Sequence, residues 1–180
     1  MGPYSSDDDE RGCDIMRTAH DQMIKQLCDS QFPTVDPALV QAIVCQESGG
    51  DSAAIRFEFH YYENAVVRKE AKQFSRDNKG IPTYETELVA RSLSYGLMQI
   101  MGQVAREGGL KDRYLTVLID PQTNLEVGIG LLARRLRYTK FDGDIPWVIK
   151  SWNAGMGCRK PSADDSYVTS VMKFMSETPY

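Results

Sequence analysis

The sequence predicts an all-α fold, a single globular domain of about seven to eight helices. Three observations carry this. Apolar residues recur at three- and four-residue spacing along most of the chain. Aspartate, twice followed by proline, stands where these stretches begin, and glycine stands where several of them end. Strand-like character is confined to one short aromatic stretch, Arg56 to Tyr62. The 180 residues suit one domain and are enough to bury a core without staples.

The elements follow in order. The acidic residues 1–10 read as a disordered tail, which leaves 11–180 as the folded domain. From about Asp14 to Cys28, Ile15, Ala19, Met23 or Ile24 and Leu27 share one helical face, and Phe32-Pro33 ends the pattern. Asp36-Pro37 opens a second helix with Leu39, Val40, Ile43 and Val44 on its apolar side, and Ser48-Gly49-Gly50 closes it. Between residues 52 and 92 the pattern predicts a long excursion with short helices at Ala65 to Phe74 and Glu85 to Leu93, separated by a turn at Asn78 to Pro82. A helix is expected from Leu97 to Glu107 and a longer one from Asp120-Pro121 to about Tyr138, with Leu125, Ile129, Leu132 and Leu136 on its inner face. Asp144 caps a helix that ends at Gly155, and Asp164 or Asp165 starts a last one to about Met175.

Composition excludes several function classes. Hydrophobic residues at 42% and charged residues at 26% describe an ordinary soluble protein. A net charge of −4 argues against nucleic acid, whose binding requires many phosphate-neutralising cations. There is no polybasic run for an anionic membrane, and no apolar stretch approaches the roughly 20 residues that span a bilayer. No secretory signal is visible at the N-terminus. Cys13, Cys28, Cys45 and Cys158 form no C-x-x-C pair, and His20 and His60 are the two histidines, so no metal or other cofactor is expected. Cys28 and Cys45 lie within apolar patterns and are expected as buried free thiols, with at least one disulfide among the four cysteines as the alternative. Arg134, Arg135 and Arg137 read as a solvated basic face, and Tyr61-Tyr62 as core.

One residue does not fit a pure core. Positions 40, 43, 44 and 47 form one stripe of the second helix, and the fourth is Glu47. Apolar neighbours and the negative end of the helix both favour its neutral form, which suits a general acid. A helix-end glutamate turned to water fits the same pattern. Gln99 is the one amide within the apolar run Gly96-Leu97-Met98-Gln99-Ile100. It suits a substrate contact or a core amide with a backbone partner. Trp152-Asn153-Ala154-Gly155 ends an amphipathic helix with an aromatic ring beside an amide, a pairing that suits sugar faces and hydroxyls as well as a plain helix stop.

Taken together, Gln46-Glu47-Ser48-Gly49-Gly50, Gly96-Leu97-Met98-Gln99-Ile100, Trp152-Asn153-Ala154-Gly155 and Tyr167-Val168 resemble, in order, the motifs of the lytic transglycosylases, which share a lysozyme-like fold with goose-type lysozymes. The likeness covers about residues 36 to 175. Ala54 to Glu58 and Ser94 to Glu107 are similar to the phage and prophage form of the domain.

The resemblance implies an enzyme of the glycoside hydrolase family 23 type acting on peptidoglycan glycan strands. Glu47 would protonate the oxygen between N-acetylmuramic acid and N-acetylglucosamine. It would then deprotonate the muramic C6 hydroxyl, which closes onto C1 as a 1,6-anhydro end without water or metal. Gln99 and Asn153 would hold amides and hydroxyls, and Met98, Trp152 and Tyr167 would line the groove. Ser48, Tyr95, Gly96 and Ala154 complete the substrate-binding set, and Tyr167 would orient Glu47.

The chain departs from the family at three places. Trp152 replaces a usual tyrosine, Tyr95 a small residue, and Ala163 a glutamate four positions before Tyr167. Two alternatives stand beside this reading. A hydrolytic muramidase would need a second carboxylate, for which Glu58 comes before Asp51 and Glu63, although an internal pair with Arg56 also accounts for Glu58. A glycan-binding domain without activity is the other. The implied setting is a monomer acting on the wall from the periplasm or outside the cell, delivered by a phage virion or holin or by a signal since removed.

Overall fold

Capping residues set where helices begin and end in the computed structural model, which describes residues 20–111 and 114–177. Among the described residues are nine α-helices, one 3-10 turn and three short strands. Contacts divide them into two units. One holds the described residues up to Gly50 together with those from Gly128, and the other runs from Asp51 to Val127. The expected tail, Cys13 and the helical positions Ile15 and Ala19 lie outside the described residues.

In the first unit, α1 spans residues 20–31 and buries Ile24, Leu27 and Cys28. Helix α2 is Pro37–Ser48, entered as its sequence requires: the Asp36 carboxylate accepts from the Ala38 N–H at 2.9 Å. Leu39, Val40, Ile43 and Val44 are each at most 1% exposed. Gly49 ends the helix in the left-handed conformation at φ 60°, donating to the Cys45 carbonyl. Helix α7, Pro121–Leu136, divides its residues between the units. Gly130 in its second half lies beside the Phe32 ring, where an added Cβ would make an ordinary van der Waals contact at 3.5 Å. Asp144 caps α8, Ile145–Ala154, by accepting from the Trp147 N–H at 3.0 Å, and Asp165 accepts from Val168 N–H at the start of α9, Ser166–Glu177. Both α2 and α8 pack on α9, which turns Val168 and Val171 into the core.

Two expectations fail in this unit. Arg135 does not belong to a solvated basic face: it is 9% exposed, while Arg134 and Arg137 remain outside. Charge type does not decide which way a residue on a two-sided helix points; packing does. Cys45 is buried as expected but is disulfide-bonded rather than free. An apolar pattern reports burial, whereas oxidation depends on a second cysteine brought alongside by the fold. Cys28 is the buried free thiol the pattern predicts.

In the second unit the aromatic stretch splits into strand β1, Ile55–Phe57, and a short helix α3, Phe59–Glu63. Helix α4, Ala65–Asp77, starts on Asn64, whose side chain accepts from the Val66 and Val67 N–H groups. Helix α5, Tyr84–Arg91, starts on Thr83. Tyr61 and Tyr62 pack on Val67, Ala71 and Leu88, as core residues do. Strands β2, Leu93–Tyr95, and β3, Ile100–Met101, complete an antiparallel sheet in the order β1-β2-β3, with Ile55 opposite Tyr95 and Tyr95 opposite Ile100.

The expected helix from Leu97 begins only at Gly102, as α6, Gly102–Glu107. Residues 97–99 form a turn instead, because Gln99 adopts φ 45° and Asn124 takes up the backbone groups on both sides. The 3-10 turn Leu115–Ile119 precedes α7. A buried ionic cluster ties α4, α5 and α6 together. Glu87, 1% exposed, accepts from Arg91 Nε and Arg106 Nε at 2.8 Å each, and Arg106 lies 4.0 Å over the Phe74 ring.

Candidate active site

Glu47 is the penultimate residue of α2, half-buried at the end of the apolar stripe that Val40, Ile43 and Val44 begin. The stripe faces α9, and α9 supplies the partner: the Tyr167 hydroxyl donates to Glu47 Oε1 at 2.5 Å. Burial first, and then the Glu47 carboxylate, hold the Tyr167 phenol far above its ordinary range, so it remains a donor at every working pH. A carboxyl group whose one oxygen is fixed by a phenol has its other oxygen oriented, as proton transfer to a substrate oxygen requires.

Ser48 is occupied locally. Its hydroxyl donates to the Val44 carbonyl at 3.3 Å and accepts from Gly50 N–H at 3.1 Å, which steadies the turn directly after Glu47. Trp152, Asn153 and Ala154 form the last turn of α8, with the indole half-buried and the other two exposed. Arg135 lies against the Trp152 ring at 4.8 Å. No sequence signal marks which of Arg134, Arg135 and Arg137 turns inward.

The motif residues of the second unit sit on the β2–β3 connection. Gly96 has φ 64°, and a Cβ there would stand 2.5 Å from Asn124 Nδ2 and 2.7 Å from the Leu118 carbonyl, so only glycine fits. Asn124 is fully buried and organises this loop. Its amide nitrogen donates to the Tyr95 and Leu118 carbonyls at 2.8 Å each, and its oxygen accepts from Met98 N–H at 2.9 Å. Sequence reading missed Asn124; a lone asparagine in a helical stretch carries no local signal of a clamp. Gln99 is half-buried, and its amide nitrogen donates to the Ala54 and Gly96 carbonyls at 3.1 and 3.0 Å.

Two expected groove residues are core residues instead. Tyr95 is 1% exposed and its hydroxyl donates to the Ala90 carbonyl at 2.9 Å, while Met98 is wholly buried. Asn124, bonded to the Tyr95 carbonyl and the Met98 N–H, fixes the backbone from which both side chains turn inward. Glu58 is held by Arg56 Nε at 2.5 Å, with His60 Nδ1 at 3.9 Å, which accounts for it as an ion pair. Asp51 accepts from the Ala53 N–H at 2.8 Å in an exposed turn, and Glu63 is exposed at the end of α3. Among the described residues no group of three or more His, Cys, Asp or Glu side chains is arranged to hold a metal ion, and no helix is long and apolar enough to cross a membrane.

Comparison with known proteins adds to this geometry. The family described as the transglycosylase SLT domain matches residues 28–170. No curated protein and no solved structure matches. The matched span runs from the end of α1 into α9 and so includes both Glu47 and Tyr167. With its mostly helical fold, the chain therefore belongs to the transglycosylase SLT family and is a lytic transglycosylase of lysozyme-like fold acting on peptidoglycan.

Proposed function

We propose that Glu47 performs both proton transfers of the cleavage. As an acid it protonates the glycosidic oxygen between N-acetylmuramic acid and N-acetylglucosamine, and that C–O bond breaks with the proton leaving on the glucosamine hydroxyl. As a carboxylate it takes the proton of the muramic C6 hydroxyl, whose oxygen bonds to C1. Its own proton is thereby restored, and the chain end is 1,6-anhydro. No water is consumed, and the substrate brings its own nucleophile, so one carboxylate suffices.

The observation that carries this reading is the bond from Tyr167 to Glu47, which fixes the orientation of the carboxyl group at the end of the apolar stripe. Trp152 and Asn153 are proposed as sugar and amide contacts from the end of α8, and Gln99 as an amide contact through its oxygen. Tyr95 and Met98 shape the Gly96 loop from below rather than touching sugar. A phage-lysis setting with a monomeric enzyme is part of the same proposal and rests on the likeness of the Ala54 to Glu58 and Ser94 to Glu107 segments to phage forms.

The test is digestion of purified peptidoglycan by the wild type and by Glu47→Gln, with mass spectrometry of the products. Fragments lighter by one water than hydrolytic ones, lost roughly a hundred- to ten-thousand-fold in Glu47→Gln, are expected. Reducing ends would replace this mechanism with hydrolysis and bring Glu58 forward. Binding without cleavage would leave a glycan-binding domain.

A further inference from the structure

Arg135 lies on the last turn of α7, in the same unit as Glu47, Trp152 and Tyr167. It is 9% exposed, and among the described residues no carboxylate pairs with it. Its Nη1 donates to the Leu131 carbonyl one turn back at 3.2 Å, and its Nε is buried without a partner. A cation kept out of water with a single carbonyl to bond is costly. What it has in return is the Trp152 ring, 4.8 Å from the guanidinium carbon. Indole is the strongest natural partner for a cation over a ring face, and the flat guanidinium can stack where an ammonium cannot.

The position of Trp152 gives this contact a purpose. The indole stands at the end of α8, where Asn153 and Ala154 are already exposed and Gly155, at φ 80°, turns the chain away. Tyr167, the partner of Glu47, feels the same Arg135 charge, so the guanidinium lies near both parts of the candidate site in this unit.

We propose that Arg135 is a positioning residue for the reaction: its buried guanidinium holds the Trp152 indole against α7 in the orientation in which the ring meets a sugar of the glycan strand. The inference rests on the reading of Trp152 as a sugar contact. Arg135 touches no substrate itself; it acts through Trp152.

A double-mutant cycle with a spectroscopic readout tests it. Arg135→Met, Arg135→Lys, Trp152→Leu and the Arg135→Met/Trp152→Leu double variant are assayed on soluble glycan strands. Each single Arg135 variant is also made in a Trp147→Phe background, so that Trp152 is the sole tryptophan. Arg135→Met is expected to raise KM roughly three- to ten-fold with kcat changed less than about two-fold, and Arg135→Lys to recover only part of this. In the Trp152→Leu background, Arg135→Met is expected to add nothing further to KM. Trp152 fluorescence anisotropy is expected to fall in Arg135→Met while the far-ultraviolet circular dichroism is retained.

The same KM factor in both backgrounds, a fall in kcat alone, or unchanged anisotropy would each overturn the proposal. Arg135→Lys keeps the charge and serves as the folded comparison if Arg135→Met melts. If the wild type releases no anhydro products, the proposed function falls, and the anisotropy still decides whether Arg135 fixes the indole.

Discussion

Glu47 and Tyr167 show how much of the chemistry rests on single side chains. A hydrogen bond to a charged group is worth about 1.5–3 kcal/mol, so Tyr167→Phe is expected to lower kcat about ten- to a hundred-fold with the fold intact. An unchanged kcat would remove Tyr167 from the mechanism. Cys28 gives a second residue-scale expectation. Burial, reinforced by Asp29 and Asp36, pushes its thiol up to about 11. The folded state thus favours the neutral thiol, and its contribution to stability is whole below about pH 9 and fades as the pH rises toward about 11. At pH 8, iodoacetamide should leave Cys28 unmodified in the native protein and modify it after unfolding, with the half-buried Cys158 as internal reference in peptide mass spectrometry. Native labelling of Cys28 would contradict this burial.

At the scale of elements, capping and ionic clusters carry the argument. Asp36, Asn64, Thr83 and Asp144 each bond a backbone N–H of the first turn they open, and at Asp36 and Asp144 this is why the helix start could be read from sequence. The β2–β3 connection obeys a different rule, because its shape is imposed by Asn124 from a helix that starts more than twenty residues later. The joint between α4, α5 and α6 depends on Glu87, which accepts from two buried guanidinium groups. Removing that carboxylate leaves Arg91 and Arg106 buried with less compensation, so Glu87→Ala is expected to cost about 3–5 kcal/mol of stability. Urea denaturation measures this, and a loss under about 1 kcal/mol would mean that Glu70 and Glu107 take over the pairing.

At the scale of the whole molecule, each of the two units builds its own core, and the segment Asp51 to Val127 departs from the chain directly after the turn that closes α2. The residue before Gln46-Glu47 in that helix, Cys45, is tied by a disulfide. Native disulfides contribute about 2–4 kcal/mol, so reduction under native conditions is expected to lower the melting temperature and, through α2, the activity. Calorimetry with and without a reducing agent reads this directly; identical melting curves would show that the bond adds nothing to the fold.

Sequence alone determined the helical class, most helix starts and stops, the apolar stripe that ends in Glu47, and the ordered motifs that point to a lytic transglycosylase. These are local properties: a cap acts within one turn and a stripe within a few. Only the tertiary structure decided that Tyr167, 120 positions from Glu47, bonds its carboxyl group, that Tyr95 and Met98 turn into the core, that Arg135 lies under Trp152, and that Cys45 is oxidised. Each of these depends on which distant segment arrives next to a side chain. No periodicity records that, because burial direction and polar partnership are settled only when helices remote in sequence pack together.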